Sequence, residues 1–403
     1  MRRWLELLFF AANPLLALAA APMLARGLGP DGRGAFALAI AVFSLASTLG
    51  NFGQAERYAA ALRNGRRGEK SSYYIIAGVA SVTAAIAAFL VMAVAFNAGI
   101  VTALAVATAV PVASFGLIWR AVAVSRARTL LLAFQTGGPA AVRLILLAIA
   151  FLASALTPFV ATALTLFSTA LGVFILWRAL MREQAKSPPN LVRRLSVDVR
   201  TLIPHLRVGI SQGLPIVGFT LCTAIMLRLD VFVLSTLSTP AQVGYYAAAV
   251  GITESALAIS AAFKNRMQAA TYSTQPMRNV RRELIVMIAM VLPAVAVGEA
   301  IAHPFTVLMF GDSFEPAVPA LRVLILSAVG LMLVDSGQGL LAVLGLRRPM
   351  LHSSAAGAAV TLGCLWLLVP AHGALGAAIA SLLAYTMVGS ATWLIATKRI
   401  REL

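Results

Sequence analysis

The sequence predicts an all-α integral membrane protein with about 12 transmembrane helices in two pseudo-symmetric six-helix bundles. Three observations predict this class. The mean hydropathy is +0.90, and only 11% of the 403 residues are charged, whereas a soluble domain carries about 25% charged residues. Apolar stretches of about 20 residues, the length that crosses a bilayer, follow one another along the chain. Lys and Arg cluster in every second gap between these stretches.

The apolar stretches divide into two sets of six. A long basic loop that contains Pro188-Pro189 separates the two sets. We therefore expect an N-terminal six-helix lobe at 1–180, a cytoplasmic linker at 181–207 and a C-terminal six-helix lobe at 208–403. The predicted spans are 5–26, 35–60, 72–96, 100–120, 129–153, 158–178, 208–235, 243–263, 284–303, 317–342, 350–369 and 374–396.

The positive charges predict the topology. When residues at the cytoplasmic ends of spans, such as Arg57, are counted with the adjacent basic gaps, only five of the 32 Lys and Arg residues fall outside these gaps and the termini. They are Arg26, Arg33 and Arg322 beside the opposite gaps, and Arg143 and Arg228 within spans. Basic loops stay on the cytoplasmic side of a membrane, so both termini are predicted to be cytoplasmic in a multi-pass protein of the inner or plasma membrane. The net charge of +18 is then explained by loops that face anionic lipids, and no nucleic-acid partner is expected.

A faint internal repeat supports a duplicated architecture. Gly34 opens span 2 and Gly244 opens span 8, at an offset of 210 residues, and each follows a short outside turn that contains a proline, Pro30 or Pro240. An even number of spans gives the two halves the same orientation, as in transporters built from parallel repeats.

Ionisable residues within the spans are the candidates for function, because each costs about 2.5–3.5 kcal/mol at a helix centre. Arg143 is either a cavity cation that meets a phosphate or one half of an ion pair between helices. Arg228 and Asp230 are further cavity candidates. Their i,i+2 spacing places them on nearly opposite sides of a helix, and the alternative is that they anchor the helix end near the headgroups.

Two carboxylates are candidates for ion coupling, and three residues for gating bends. Glu254 and Asp335 lie deep in spans 8 and 10, where each binds a cation or a proton, or else balances a buried Arg. Asn13-Pro14 and Pro139 interrupt helical hydrogen bonding in spans 1 and 5, and each marks a gating bend or a purely structural kink.

The sequence shows no motif for catalysis or for a bound cofactor. It contains no Walker A motif, and its cysteines and histidines have no metal-ligand spacing. We expect no enzyme activity, no metal and no cofactor, and we expect transport to depend on a gradient.

Three stretches, in this order and placement, resemble the polysaccharide-biosynthesis flippases (Wzx-like proteins) of the multidrug/oligosaccharidyl-lipid/polysaccharide exporter superfamily. The resemblance covers nearly the whole chain, although each motif is short and degenerate. The stretches are Ala25–Gly34, Arg228–Leu234 followed by Pro240–Tyr246, and Phe310–Ala317 leading into Leu321–Leu324.

The resemblance implies two six-helix lobes around a V-shaped cavity. It also implies alternating-access export of a polyprenyl-diphosphate-linked oligosaccharide to the outer leaflet, for cell-surface polysaccharide biosynthesis. The implied partners are that lipid-linked substrate, membrane lipids and the polysaccharide polymerase machinery. Family members place basic residues in the cavity for the diphosphate, a role that suits Arg143. In this chain, however, the deep acids Asp230, Glu254 and Asp335 outnumber the deep cations Arg143 and Arg228.

Two other transporter classes remain as alternatives. A non-transporting membrane scaffold is a third, but charged residues deep in the helices would serve no purpose in it. Cation-coupled drug antiporters of the MATE type often carry an acidic residue within the first helix, where this chain has only Glu6 near the cytoplasmic end. Major-facilitator transporters also have twelve spans, but the loop RNGRRGEK lacks the Asp-Arg core of their motif between spans 2 and 3.

Overall fold

The computed structural model confirms the all-α prediction. It describes residues 2–63, 70–126, 128–185, 199–254, 256–271 and 275–402, and residues 186–198 of the predicted linker lie outside these ranges. A π-helical turn at Val91–Ala95 and a 3-10 segment at Asp312–Ala317 accompany the α-helices. The helices are α1 (Arg2–Asn51), α2 (Gln54–Arg63), α3 (Lys70–Leu90), α4 (Ile100–Ser125), α5 (Thr129–Leu152), α6 (Pro158–Ala185), α7 (Val199–Leu237), α8 (Pro240–Glu254), α9 (Ala256–Ala270), α10 (Pro276–Phe310), α11 (Val318–Val343) and α12 (Arg347–Arg401).

These helices account for about twelve membrane crossings. Within the described ranges, nine helical segments are long and apolar enough to cross a membrane. The segment in α12 contains two predicted spans and the segment in α1 contains parts of two, and the backbone leaves helical geometry between them at Gly373 and Gly29. Both glycines have a positive φ, which only glycine adopts without strain. Predicted span 8 is divided between α8 and α9, which have 15 residues each.

The second predicted span ends earlier in the structure than the sequence predicts. The sequence predicts one helix over 35–60, but α1 ends at Asn51, and Phe52 and Gly53 both adopt a positive φ. The Asn51 amide oxygen accepts a hydrogen bond from the Ala55 backbone N–H at 3.0 Å, and the Asn51 amide nitrogen donates to the Ser114 carbonyl at 3.1 Å. A short polar side chain thus satisfies the first turn of α2, as in an N-cap.

Contacts divide the chain into two compact units. Unit 1 comprises Met1–Ala17 and Ala39–Thr220, and unit 2 comprises Leu18–Leu38 and Leu221–Leu403. The segment Leu18–Leu38 of α1 therefore groups with the second half of the chain. The predicted lobe boundaries stay a prediction.

Each unit has its own core. In unit 1, α4 packs against α2, α3 and α6, around buried residues that include Tyr58, Ile118 and Leu176. In unit 2, α11 packs against α8, α9, α10 and α12, and its buried residues include three glycines and two serines. Small residues let membrane helices approach closely, which explains how α11 contacts four neighbours.

Candidate functional site

Arg143 lies in the middle of α5, on the face that points into unit 1. Ala140 and Leu147, three residues before it and four after it, are both buried, whereas Ile145 and Ile149 on another face are more than half exposed. At 1.5 Å per residue, Arg143 is about 13 Å from the Leu152 end of the helix. The guanidinium is therefore far from either end of the span.

No acidic side chain among the described residues pairs with Arg143. Burial is the only influence found on its charge, and no hydrogen bond or ion pair involves it within the described part of the chain. None of its side-chain nitrogens is a fully buried atom without a partner, so the guanidinium keeps some accessible surface. An unpaired cation at this depth is suited to bind an anionic ligand group, because Arg binds phosphate oxygens through a rigid fork of N–H donors.

Pro139 lies four residues before Arg143 and is buried in α5. A Cβ at Gly172 of α6 would meet the Gln135 carbonyl and the Pro139 ring at about 3 Å. The close contact between α5 and α6 thus lies one turn from Arg143. Asn13 and Pro14 lie in the helical part of α1, and their side chains are outside the described residues.

Asp335 forms an ion pair with Lys264 of α9, a residue that the sequence does not single out. The Lys264 Nζ lies 2.8 Å from Asp335 Oδ1, and the Ser260 hydroxyl donates to Asp335 Oδ2 at 2.9 Å. The two charged side chains are 31% and 28% exposed. The carboxylate is therefore neutralised within unit 2, although water or an ion can still reach it.

The Lys264–Asp335 pair belongs to a row of polar contacts between α9 and α11. Ser260, Lys264 and Gln268 recur every four residues on one face of α9, and the Gln268 amide donates to the Gly339 carbonyl at 3.0 Å. A Cβ at Gly339 would overlap the Lys264 side-chain carbons, so this glycine makes room for the lysine. The four-residue spacing of polar residues in an apolar segment is the signal that could have found Lys264.

Asp230 is buried and fully engaged inside unit 2. It is 3% exposed; its Oδ1 accepts the Val231 N–H at 2.7 Å, and its Oδ2 accepts the Tyr246 hydroxyl. The Tyr246 hydroxyl also lies 3.1 Å from the Ser381 Oγ. This network joins α7, α8 and α12.

The structure gives less detail about the surroundings of the other two charged candidates, Arg228 and Glu254. Arg228 is half-buried on α7 and is not free of partners. Glu254 is the last residue of α8, and its side chain lies outside the described residues. Among the described residues, no group of three His, Cys, Asp or Glu side chains could hold a metal ion.

Similarity to known proteins is found at the level of the fold. No family model matches the chain, and no curated protein matches it. An inward-facing multidrug resistance MATE family transporter of the MOP superfamily aligns over 96% of this chain and 95% of its own, with 15% identity and a TM-score of 0.69. The lipid II flippase MurJ in an inward closed conformation aligns over 98% and 90%, with 11% identity and a TM-score of 0.73.

A Vibrio cholerae MATE transporter variant aligns over 100% of this chain and 96% of its own, with 16% identity and a TM-score of 0.55. Alignment over nearly the whole of both chains means that the common architecture extends from end to end. The chain therefore has the all-helical fold that is common to MATE transporters and a lipid II flippase.

Proposed function

We propose that this protein is a membrane exporter that moves a polyprenyl-diphosphate-linked oligosaccharide from the cytoplasmic to the outer leaflet by alternating access, for cell-surface polysaccharide biosynthesis. The fold supports a transporter of the MOP type, since solved structures with this fold include MATE transporters and a lipid II flippase. The proposed location is the inner or plasma membrane, and the proposed partners are the lipid-linked substrate, membrane lipids and the polysaccharide polymerase machinery.

The surroundings of Arg143 are the observation that supports a lipid-linked substrate. Its guanidinium lies at mid-helix depth, has no partner in the part of the chain that the structure describes, and keeps some accessible surface. A diphosphate presents several acceptor oxygens to such a group, and the charge-assisted contact orients the ligand as well as binding it. A cationic drug would instead be repelled by Arg143.

The decisive experiment compares Arg143→Ala with Arg120→Ala. Arg120 is exposed on α4, so its loss removes the same charge from a position where no ligand contact is proposed. Proteoliposomes containing a polyprenyl diphosphate linked to a fluorescent disaccharide would report translocation through quenching by a membrane-impermeant reagent. Loss of a charge-assisted contact of about 1.5–3 kcal/mol predicts a rate roughly 10–100-fold lower for Arg143→Ala.

The Arg120→Ala variant should translocate at the wild-type rate, and Arg143→Lys should keep part of the activity because it retains the charge without the fork. In cells, Arg143→Ala should lose surface polysaccharide while the protein still accumulates in the membrane. Wild-type translocation by Arg143→Ala would remove Arg143 from the mechanism.

A MATE-type cation-coupled drug antiporter is the second candidate. The partly exposed carboxylate of Asp335 favours it, because such a group can exchange its lysine partner for a coupling ion or a proton. This candidate requires cation-gradient-dependent efflux of a dye from proteoliposomes, with loss of efflux in Asp335→Asn. A major-facilitator-type secondary transporter is the remaining alternative.

A further inference from the structure

An apolar cavity of about 390 Å³ lies within unit 2, between α8, α10 and α11. Met290 and Phe305 mark its extent along α10, and Leu321 and Met332 mark its extent along α11. The cavity therefore follows the two helices for several turns. This elongated shape fits a chain rather than a compact molecule.

The lining of the cavity is chemically uniform. Among the described residues that line it, Thr253 has the only polar side chain, and its hydroxyl donates to the Val250 carbonyl of its own helix at 3.1 Å. The donor of this hydroxyl is thus used within its own helix, and the remaining described lining side chains are apolar. Apolar cavities of this kind stay dry or take apolar guests.

The cavity opens onto a surface that faces hydrocarbon. Met290 is 59% exposed and Ile301 is 46% exposed, although both line the cavity. Other apolar residues of α10, such as Leu292, Val297 and Leu308, are more than half exposed. In a membrane such a helix face contacts lipid chains, so the occupant enters from the bilayer.

Arg322 flanks the cavity on α11. It follows the lining residue Leu321 and precedes the lining residue Ile325 by one turn, and its side chain is exposed. Within the described residues Arg322 has no hydrogen bond or ion pair, and Glu315, in the 3-10 segment before α11, pairs with His303 at 3.2 Å. Helical side chains lean toward the N-terminus of their helix, and the predicted topology places that end of α11 at the outer headgroups.

We propose that this cavity and Arg322 form a binding site for one glycerophospholipid of the outer leaflet, with an acyl chain in the cavity and the phosphodiester against the guanidinium. A single guanidinium matches the single negative charge of a phosphodiester. A polyprenyl diphosphate carries more negative charge than one Arg neutralises. The site is separate from Arg143 and does not depend on the proposed function.

The acyl-chain part of the site is tested with a matched pair of substitutions on α10. Ala294 is exposed and lines the cavity, whereas Ala296 is exposed on the same helix but does not line it. Ala294→Phe should fill the cavity, and Ala296→Phe should leave it open. Native mass spectrometry of the purified full chain, titrated with phosphatidylglycerol, would measure the bound lipid.

The headgroup part is tested with Arg322→Gln, against Arg120→Gln as an exposed cation elsewhere. Titration with phosphatidylglycerol and with diacylglycerol of the same chains separates phosphate recognition from chain binding. Arg322→Gln should bind phosphatidylglycerol about tenfold more weakly, the effect of losing one charge-assisted contact. Its affinity for diacylglycerol should not change.

The expected result is one retained phosphatidylglycerol on the wild type and on Ala296→Phe, and at least a tenfold loss on Ala294→Phe. Equal retention by both phenylalanine variants would overturn the acyl-chain site. Equal phosphatidylglycerol affinity of Arg322→Gln and the wild type would overturn the phosphate contact. Displacement of the bound lipid by an equimolar polyprenyl phosphate would show that the transported class of lipid, rather than a phospholipid, is the occupant.

Discussion

Individual charged residues within the helices have three different surroundings. Arg143 faces into unit 1 without an ion-pair partner among the described residues, Asp335 is paired with Lys264, and Asp230 is buried under the Tyr246 hydroxyl. A charged group in an apolar environment is tolerated only with a partner, a hydrogen bond or access to water. These three residues satisfy that requirement in three ways, so they are suited to different roles.

Tyr246→Phe should destabilise unit 2. The substitution keeps the ring but removes the hydroxyl that donates to Asp230, whose side chain is 3% exposed. A buried acceptor that loses its donor costs about 1–3 kcal/mol. Thermal unfolding in detergent should therefore show a lower Tm for Tyr246→Phe.

The neighbouring Tyr245→Phe is the matched control. The Tyr245 ring packs edge-on against Phe314, and no hydrogen bond of its hydroxyl is found among the described residues. Its Tm should remain at the wild-type value. Equal Tm values for the two variants would mean that the Tyr246–Asp230 contact contributes nothing measurable.

At the scale of helices, the weak sequence repeat at Gly34 and Gly244 has a structural counterpart. Both residues belong to unit 2. A Cβ on Gly34 would overlap the Pro240 carbonyl oxygen, and a Cβ on Gly244 would overlap the Pro30 carbonyl oxygen. The two repeated Pro-x-x-x-Gly segments thus cross each other in a reciprocal contact, in which each glycine packs against the other segment's proline.

Gly34→Ala and Gly244→Ala should each destabilise the protein. The added methyl group meets backbone rather than a flexible side chain, so the helices have to move apart. Overpacking of this kind costs about 1–3 kcal/mol. Because the two glycines form one contact, the double variant should be less destabilised than the sum of the single variants.

Gly218→Ala provides the control for these two variants. Nothing lies within 4 Å of a Cβ at Gly218, in the interior of α7. Alanine is favoured over glycine in a helix by roughly 0.5–1 kcal/mol, so this variant should be as stable as the wild type or more stable. A loss of stability equal to that of Gly34→Ala would argue against the close helix crossing.

At the scale of the whole molecule, the distribution of Lys and Arg predicts that the termini are cytoplasmic and that the 3-10 segment before α11 is outside. Asp312 and Lys398 are both exposed and lie on predicted opposite sides of the membrane. After replacement of Cys222 and Cys364, a membrane-impermeant maleimide should label Asp312→Cys in intact cells. Lys398→Cys should react only after permeabilisation. Labelling of Lys398→Cys in intact cells would reverse the topology.

The sequence alone predicted much of the fold, because hydrophobic length and the positions of Lys and Arg are local properties that can be read along the chain. It failed where helix ends depend on single contacts, as at Asn51, whose side chain caps α2 and ends predicted span 2 early. Nor does the sequence single out Lys264, because nothing in the order of residues shows that α9 packs beside Asp335.

The sequence by itself determined that the chain is an all-helical membrane protein with about twelve spans, and that Arg143 lies deep within one of them. The partition of an apolar segment into lipid follows from its composition and length, so both conclusions can be drawn without any tertiary contact. Only the tertiary structure decided which deep charges are paired, that Gly34 and Gly244 meet, and that a cavity opens beside Arg322. These features join residues far apart in the chain, and their pairing depends on which helix faces pack together.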